Sequence, residues 1–430
     1  LTDPNFMMGG KPLTAEQMLD VESFVGWGDN VWKIADGDDT PRLMWENTDW
    51  VWTPENPEPP ECWPDCEYVP IVDTPRSYGG GDGTVESPYV LMTSDHLFTL
   101  GKHVSDCDKY FVLGNDINLS GQILSESVIG YFTGHFDGRG HTINGLSIEG
   151  IEHLVPYQGK FFSGLGLFGC IDNGGVVEDL AIENVNIDGM CTVGALAGEN
   201  NGMIKQCYMT GSIEAEGNVG GLVGSNGFRR PYGSAQIQNC YANASLFGDA
   251  MQGFAVKYLG GIAGANGGLI RMCYSSGALD TDNIIPAYSP FIVGGIAGWS
   301  LGGNVENSYY LSDPTTNCVC GQELSVAQMK QRASFVDWDF VGDGNGNRNI
   351  WRMCVDGVDY PRLSLEFSGG GDFACPDGIG LDDLVVLGEN WLTSAEVEAE
   401  TFNVACDANS DGIINLRDYA VLSSNWLANP

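Results

Sequence analysis

Between about residues 136 and 310 the apolar positions fall in short runs bounded by glycine or asparagine, and none keeps a helical period. One block recurs: VGALAGENNG from Val193, VGGLVGSNG from Val219, GGIAGANGG from Gly260 and VGGIAGWS from Val293. A second strand-like block follows each one: MIKQCYMTG, QIQNCYANA, LIRMCYSSG and NVENSYYLS. Its Cys-Tyr pair stands at 207–208, 240–241 and 273–274, a step of 33 residues, and Ser308-Tyr309 takes the fourth place. Short strands at a fixed period describe a solenoid. Parallel strands stacked about 4.8 Å apart would put Leu222, Ile262 and Ile296 in one buried column, with glycine pairs at the tight bends before them. The pattern therefore predicts a mainly β protein, a right-handed parallel β-helix (β-solenoid) of roughly six rungs over residues 79–310. Earlier rungs are FVLGNDINLS from Phe111, FDGRGHTINGLSI from Phe136 and the block from Gly166 to Ile187. The repeated cysteines read as a stack of small buried thiols. Strand spacing exceeds the ~3.5–4.5 Å between the Cβ atoms of a disulfide, which disfavours a disulfide ladder.

These blocks resemble the GLUG-motif repeats of bacterial surface and secreted proteins, and the lead-in GGGDGTVESPYVLMTSDHLFTL with FDGRGHTI is similar to the way such domains begin. The resemblance covers about residues 79 to 366. It implies a scaffold and says little of activity.

The chain repeats itself at longer range. LTDPNF at Leu1 answers LSDPTT at Leu311, SFVGW (Ser23 to Trp27) answers SFVDW (Ser334 to Trp338), and Pro41-Arg42-Leu43 answers Pro361-Arg362-Leu363. Residues 311–368 read as a C-terminal cap, a short amphipathic helix in ELSVAQMKQRASF and then a strand or two, covering the open end of the solenoid. Residues 1–50 are a cap-like module of the same kind. A stiff linker with seven prolines occupies 51–78.

Charge narrows the partners. With 57 acidic and 19 basic residues the net charge is −38, which excludes nucleic acid and an anionic membrane surface and suits a meeting with divalent cations. No stretch is long and apolar enough to span a bilayer. The thirteen cysteines lack zinc spacing, so secretion with a few disulfides is the better reading, Cys375 with Cys406 being one candidate clasp. A start at Leu1 reads as a processed or trimmed form.

Residues 369–430 carry the clearest chemistry. DANSDGIINLRD has the spacing of a calcium loop, with oxygens from Asp407, Asn409, Asp411, the Ile413 carbonyl, Asn415 and Asp418, and Gly412 at the sharp turn. The helix YAVLSSNWL follows it, and DLVVLGENWL thirty-five residues earlier is its twin. The first loop, ACPDGIGLDD, is one residue short and offers Asp372, Asp377, Asp382 and Asp383, of which Asp377 and Asp383 are carried as ligands. A solvated acidic loop is the plain alternative at both. Two such halves resemble a dockerin, which implies a small α-helical calcium-binding domain and a cohesin-like partner. A further acidic loop, DGNGNRN at Asp343 to Asn349, lacks a closing carboxylate and reads as a turn.

The best catalytic cluster is His135, Asp137, Arg139 and His141, but a turn-and-strand element explains it, and no nucleophile or metalloprotease motif exists. The chain is therefore read as a non-enzyme. The sequons Asn118-Leu-Ser and Asn243-Ala-Ser are short enough to occur by chance. The expectation is a bacterial extracellular or cell-surface structural protein, self-assembling head-to-tail into a filament or surface layer, with calcium ordering its tail. A monomeric adhesin or carbohydrate-directed protein, anchored by the dockerin-like module and meeting a surface polysaccharide, is the alternative. A β-helix lyase or hydrolase comes third.

Overall fold

The structure is a computed structural model. It describes the strands Trp32–Lys33 and Arg42–Leu43 and then residues 77–426, except 151–154, 158–159, 163, 191, 228–234, 249–256, 281–290, 301, 313–315, 317–319, 341–349, 368–372, 374–380, 395–396, 398–405 and 409–411. The chain forms two compact units, Leu1–Val72 and Asp73–Pro430.

In the larger unit the 33-residue period becomes a coil. Thr192–Val193, Ala197–Asn200, Met203–Lys205 and Tyr208–Ala215 each enter a different sheet. Three more coils, ending at Tyr309–Leu311, revisit the same sheets in the same order. Among the described residues this gives parallel sheets of four, six, eight and ten strands, a parallel β-helix-like stack with few helices. Register is set by the pattern that predicted it: Ile204 lies beside Ile237, Ile237 beside Ile270, and Ile270 beside Val305. Leu222, Ile262 and Ile296 are fully buried, Leu222 N–H donating to Ile262 O at 3.1 Å and Ile262 N–H to Ile296 O at 2.9 Å. Eight strands in one sheet make the stack longer than six rungs, and Tyr89–Leu91 is its first strand there.

Two devices hold the bends. A Cβ at Gly261 would stand 2.3 Å from Gly295 O, so only glycine lets the coils approach. At the corner before the ten-stranded sheet, Asp179, Gln206, Asn239, Met272 and Asn307 all take the left-handed conformation, with φ of 54, 51, 53, 53 and 42°. Inside the stack a ladder of buried asparagines runs across the coils. Asn200 Nδ2 donates to Asn226 Oδ1 and Asn226 Nδ2 to Asn266 Oδ1, each at 2.8 Å. Cys207, Cys240 and Cys273 are buried free thiols that donate to the carbonyls of Lys205, Gln238 and Arg271, each at 3.2 Å. The cysteine column is packing.

Helix α1 (Ser94–Lys102), capped by Thr93, buries Leu97 and Leu100 and packs on Ile129–Phe132, the edge of the six-stranded sheet. The larger unit thus carries its own cover at the N-terminal end.

At the other end the short helix expected in ELSVAQMKQRASF is present but shorter than that stretch. Gln322–Leu324 is a strand that pairs with Tyr309–Leu311 because the last coil offers an open edge. Helix α2 (Val326–Met329) is four residues long, fixed by a capping box between Ser325 and Gln328. Beyond it the cap lies on the outer flank of the stack. Phe335, Trp338, Phe340, Trp351 and Leu363 share one buried cluster with Tyr208, Tyr241, Tyr274 and Tyr309 of the ten-stranded sheet.

The cap ends in an antiparallel pair with Trp351 opposite Leu363 and Arg352 opposite Arg362. In the smaller unit Trp32 faces Leu43 and Lys33 faces Arg42. These are the corresponding positions, so the duplication extends to strand register.

Helices α3 (Leu381–Glu389) and α4 (Leu416–Asn425) follow, where the twin pattern placed them. Phe373, Leu387, Cys406, Ile414 and Leu422 form their common core, and Ser394 bridges Ile413 antiparallel. Among the described residues no helix is long and apolar enough to cross a membrane.

Candidate functional site

The C-terminal loop is built around two buried carboxylates. Gly412, with φ of 79°, makes the turn and donates its N–H to Asp407 Oδ2 at 2.8 Å. Asn415 caps α4: its Oδ1 accepts from Arg417 N–H at 2.9 Å, and its own N–H donates to Asp418 Oδ2 at 2.7 Å. The Ile413 carbonyl accepts from Asn415 Nδ2 at 2.9 Å. Asp418 and Asp383 are buried and Asp407 nearly so, while Asn409, Asp411 and Asp377 lie outside the described residues, as do Asp372 and the 343–349 loop. Four of the six expected positions, Asp407, Ile413, Asn415 and Asp418, lie among the described residues. Among the described residues no three His, Cys, Asp or Glu side chains group as a metal site. The expected Cys375–Cys406 clasp is overturned: Cys406 is a free buried thiol, pushed up to about 12 by burial. Its place in the small core explains this. Cys354 is disulfide-bonded.

The histidine cluster separates. His135 pairs with Glu178 at 2.5 Å, whereas His141 turns to Asp116 at 3.0 Å. Arg139 sits in the left-handed corner and donates its N–H to Asp137 Oδ1 at 2.8 Å. A charged column on the eight-stranded sheet takes their place. Asp137 lies beside Glu178, and Glu178 beside Lys205, with which it forms an ion pair. Gln238, Arg271 and Glu306 continue the column. Each of these from Glu178 onward stands two residues before a buried Leu, Cys or Ser, a regularity that aligning the repeats would have revealed. Beside the column burial raises Asp179 to about 7, the carboxylates of Asp137 and Glu178 adding to the effect and Lys205 opposing it.

The third feature was not foreseen. On the ten-stranded sheet Tyr208 stacks on Tyr241 at 4.8 Å between ring centroids, and Tyr241 on Tyr274 at 4.9 Å. Their hydroxyls donate to Glu183 Oε1 at 2.6 Å, Glu366 Oε2 at 3.0 Å and Pro361 O at 2.6 Å. Glu366 is held by Arg362 at 2.7 Å. A cleft of about 410 Å³ opens between these tyrosines and the cap residues Tyr360 and Arg362. The Cys-Tyr period predicted that the tyrosines align. The cap residues that lie over them are far away in sequence, Tyr274 bonding Pro361, 87 residues on.

Comparison with known proteins gives partial matches. No protein-family model matches the chain, so neither the GLUG nor the dockerin resemblance gains support there. The chain is 30% identical over 159 residues to Halomucin of Haloquadratum walsbyi, covering 34% of this chain and 2% of that protein. It is 31% identical over 139 residues to a protein of Evansella cellulosilytica provisionally named a Gly-rich membrane protein, covering 30% of this chain and 15% of that one. A solved structure from Bacteroides ovatus, provisionally described as an immunoglobulin A1 protease, aligns with 67% of this chain and 95% of its own at a TM-score of 0.46 and 22% identity. The chain spans only a small part of the curated relatives it matches.

Proposed function

We propose that this is a structural protein of the cell surface or extracellular space whose copies join head-to-tail, the 1–50 module of one copy packing on the solenoid of the next. The carrying observation is the strand register that this module shares with the C-terminal cap. In the cap, Leu324, Met329, Phe335, Trp338, Trp351 and Leu363 are buried together with the tyrosine ladder. The first module carries the same set as Leu13, Met18, Phe24, Trp27, Trp32 and Leu43, and such a set needs an apolar surface to lie against. An asymmetric contact of that kind propagates into a filament where its rotation does not close a ring. At a net charge of −38 neighbouring copies repel, so calcium in the Asp407–Asp418 loop and on the acidic surface would favour assembly. The relative named as a membrane protein agrees with a surface location.

A second reading rests on a different surface. Leu381, Leu384 and Val385 of α3 and Leu416 and Tyr419 of α4 are exposed apolar residues at 39 to 72%. Such exposed apolar residues on the two helices suit a protein partner, as the dockerin resemblance implies for a cohesin-like protein.

Electron microscopy and sedimentation of the full chain, with calcium and after chelation, test the assembly. Filaments in the wild type and monomers in the Trp27→Ala/Trp32→Ala variant are expected. Monomers at every calcium concentration, or filaments unaffected by the double substitution, would reject the head-to-tail contact.

A further inference from the structure

We propose that the cleft beside the tyrosine ladder binds a neutral oligosaccharide lying along the stack of strands. The floor is a regular array. Thr210 lies beside Asn243 in the ten-stranded sheet, and Ser276 N–H donates to Ala242 O at 3.1 Å, which continues the same row. A parallel row of Asn186, Ser212 and Ser245 stands next to it, exposed. Both rows are uncharged. Every member is a hydroxyl or an amide, able to donate and to accept, as the hydroxyls of a sugar require. Asn243 and Ser276 make no side-chain hydrogen bond among the described residues, so their capacity is open to the cleft. Thr210 Oγ1 accepts from Asn184 N–H at 3.3 Å and keeps its proton to give.

Three further facts select the ligand. The rows repeat at the strand spacing of about 4.8 Å, which is on the scale of one pyranose unit in an extended glycan. The one guanidinium on the wall, Arg362, is already neutralised by Glu366, and the chain as a whole repels polyanions. The cleft volume of about 410 Å³ lies within the range of small-ligand sites. Tyr360 and the ring edges of the tyrosines supply an apolar wall for the C–H faces of a sugar. None of this depends on head-to-tail assembly.

Asn243 heads a sequon, so the test uses full-length protein from a host that adds no N-linked glycan. Calorimetric titration would compare cellohexaose, β-mannohexaose and xylohexaose with hexagalacturonate. At least one neutral hexamer should bind and the anionic one should not. The Asn243→Ala/Ser276→Ala variant should weaken that binding roughly tenfold or more, two hydrogen bonds being lost, at an unchanged unfolding midpoint. Should the midpoint fall, the single Asn243→Ala variant gives the readout. Absence of binding by all three neutral hexamers, equal binding of hexagalacturonate, or unchanged affinity in the variant would each overturn the proposal.

Discussion

The indole of Trp351 donates to Asn239 Oδ1 across 3.3 Å, joining the cap to a corner of the stack 112 residues earlier. Both residues are buried, and Asn239 holds a φ of 53°. Two costs therefore meet at one position. Asn239→Ala should lose about 2–4 kcal/mol, from left-handed strain and an orphaned indole N–H. Asn239→Gly, free of the strain, should lose about 1 kcal/mol less than Asn239→Ala. Urea unfolding followed by tryptophan fluorescence distinguishes them, and equal losses would show that the corner carries no strain.

Asn226 accepts from Asn200 and donates to Asn266, so Asn226→Ala leaves Asn200 Nδ2 with the Gln236 carbonyl and Asn266 Oδ1 with the Gly268 N–H, each one bond short inside the stack. The expected loss is about 1–3 kcal/mol for the two bonds, beyond an ordinary surface substitution. The midpoint of the far-ultraviolet dichroism melt measures it. A shift under one degree would mean that other groups re-satisfy the ladder.

Asp179 gives the fold a pH dependence. Its folded value is raised to about 7, above the usual carboxylate range. The neutral form is favoured in the fold, so its contribution is whole near pH 4 and is lost as pH rises through about 7. Asp179→Asn should match the wild type near pH 4 and melt higher at pH 8. Parallel melting curves at both pH values would exclude the effect.

Calcium should stabilise the C-terminal module in the wild type by about 2.7 kcal/mol at a hundredfold excess over Kd, seen as a higher melting midpoint. Asp411→Ala should abolish this rise while leaving the apo midpoint in place. Asp418→Ala should lower the apo midpoint as well, since its carboxylate accepts from the Asn415 N–H. Differential scanning calorimetry with and without chelator reads all three.

Thiol reactivity tests the cysteine column. Cys207, Cys240 and Cys273 are fully buried, and burial raises Cys240 well above the usual thiol range. Iodoacetamide at pH 8 should leave all three unmodified in native protein and label them in urea. Native labelling read by mass spectrometry would mean that the stack opens locally.

The coil was legible because its evidence is local. Glycine pairs, short apolar runs and the 33-residue Cys-Tyr step are repeated neighbours, and each copy confirms the others. The buried column of Leu222, Ile262 and Ile296 followed directly. Helix α1 was hidden because SDHLFTLGK has only Leu97 and Leu100 to bury and reads as part of the lead-in. The corner residues Asp179, Gln206, Asn239, Met272 and Asn307 share a backbone shape but no side-chain chemistry, so composition could not mark them. The flank position of the cap was beyond reach for another reason. Tyr241 meets Glu366 125 residues away, and no periodicity links such positions. For the C-terminal loop the spacing found the turn at Gly412, which acts within a few residues of its partner, but it read Asn415 as a ligand and missed that it caps α4.

The asparagine ladder makes each coil's polar interior depend on the coil before and the coil after, and on nothing farther. A length of chain with that property has no built-in size. Inserting one more coil inside it creates one new joint of the kind already present, so the molecule can lengthen in whole steps of about 4.8 Å without relearning how to fold. Reach, in such a protein, is heritable as a count.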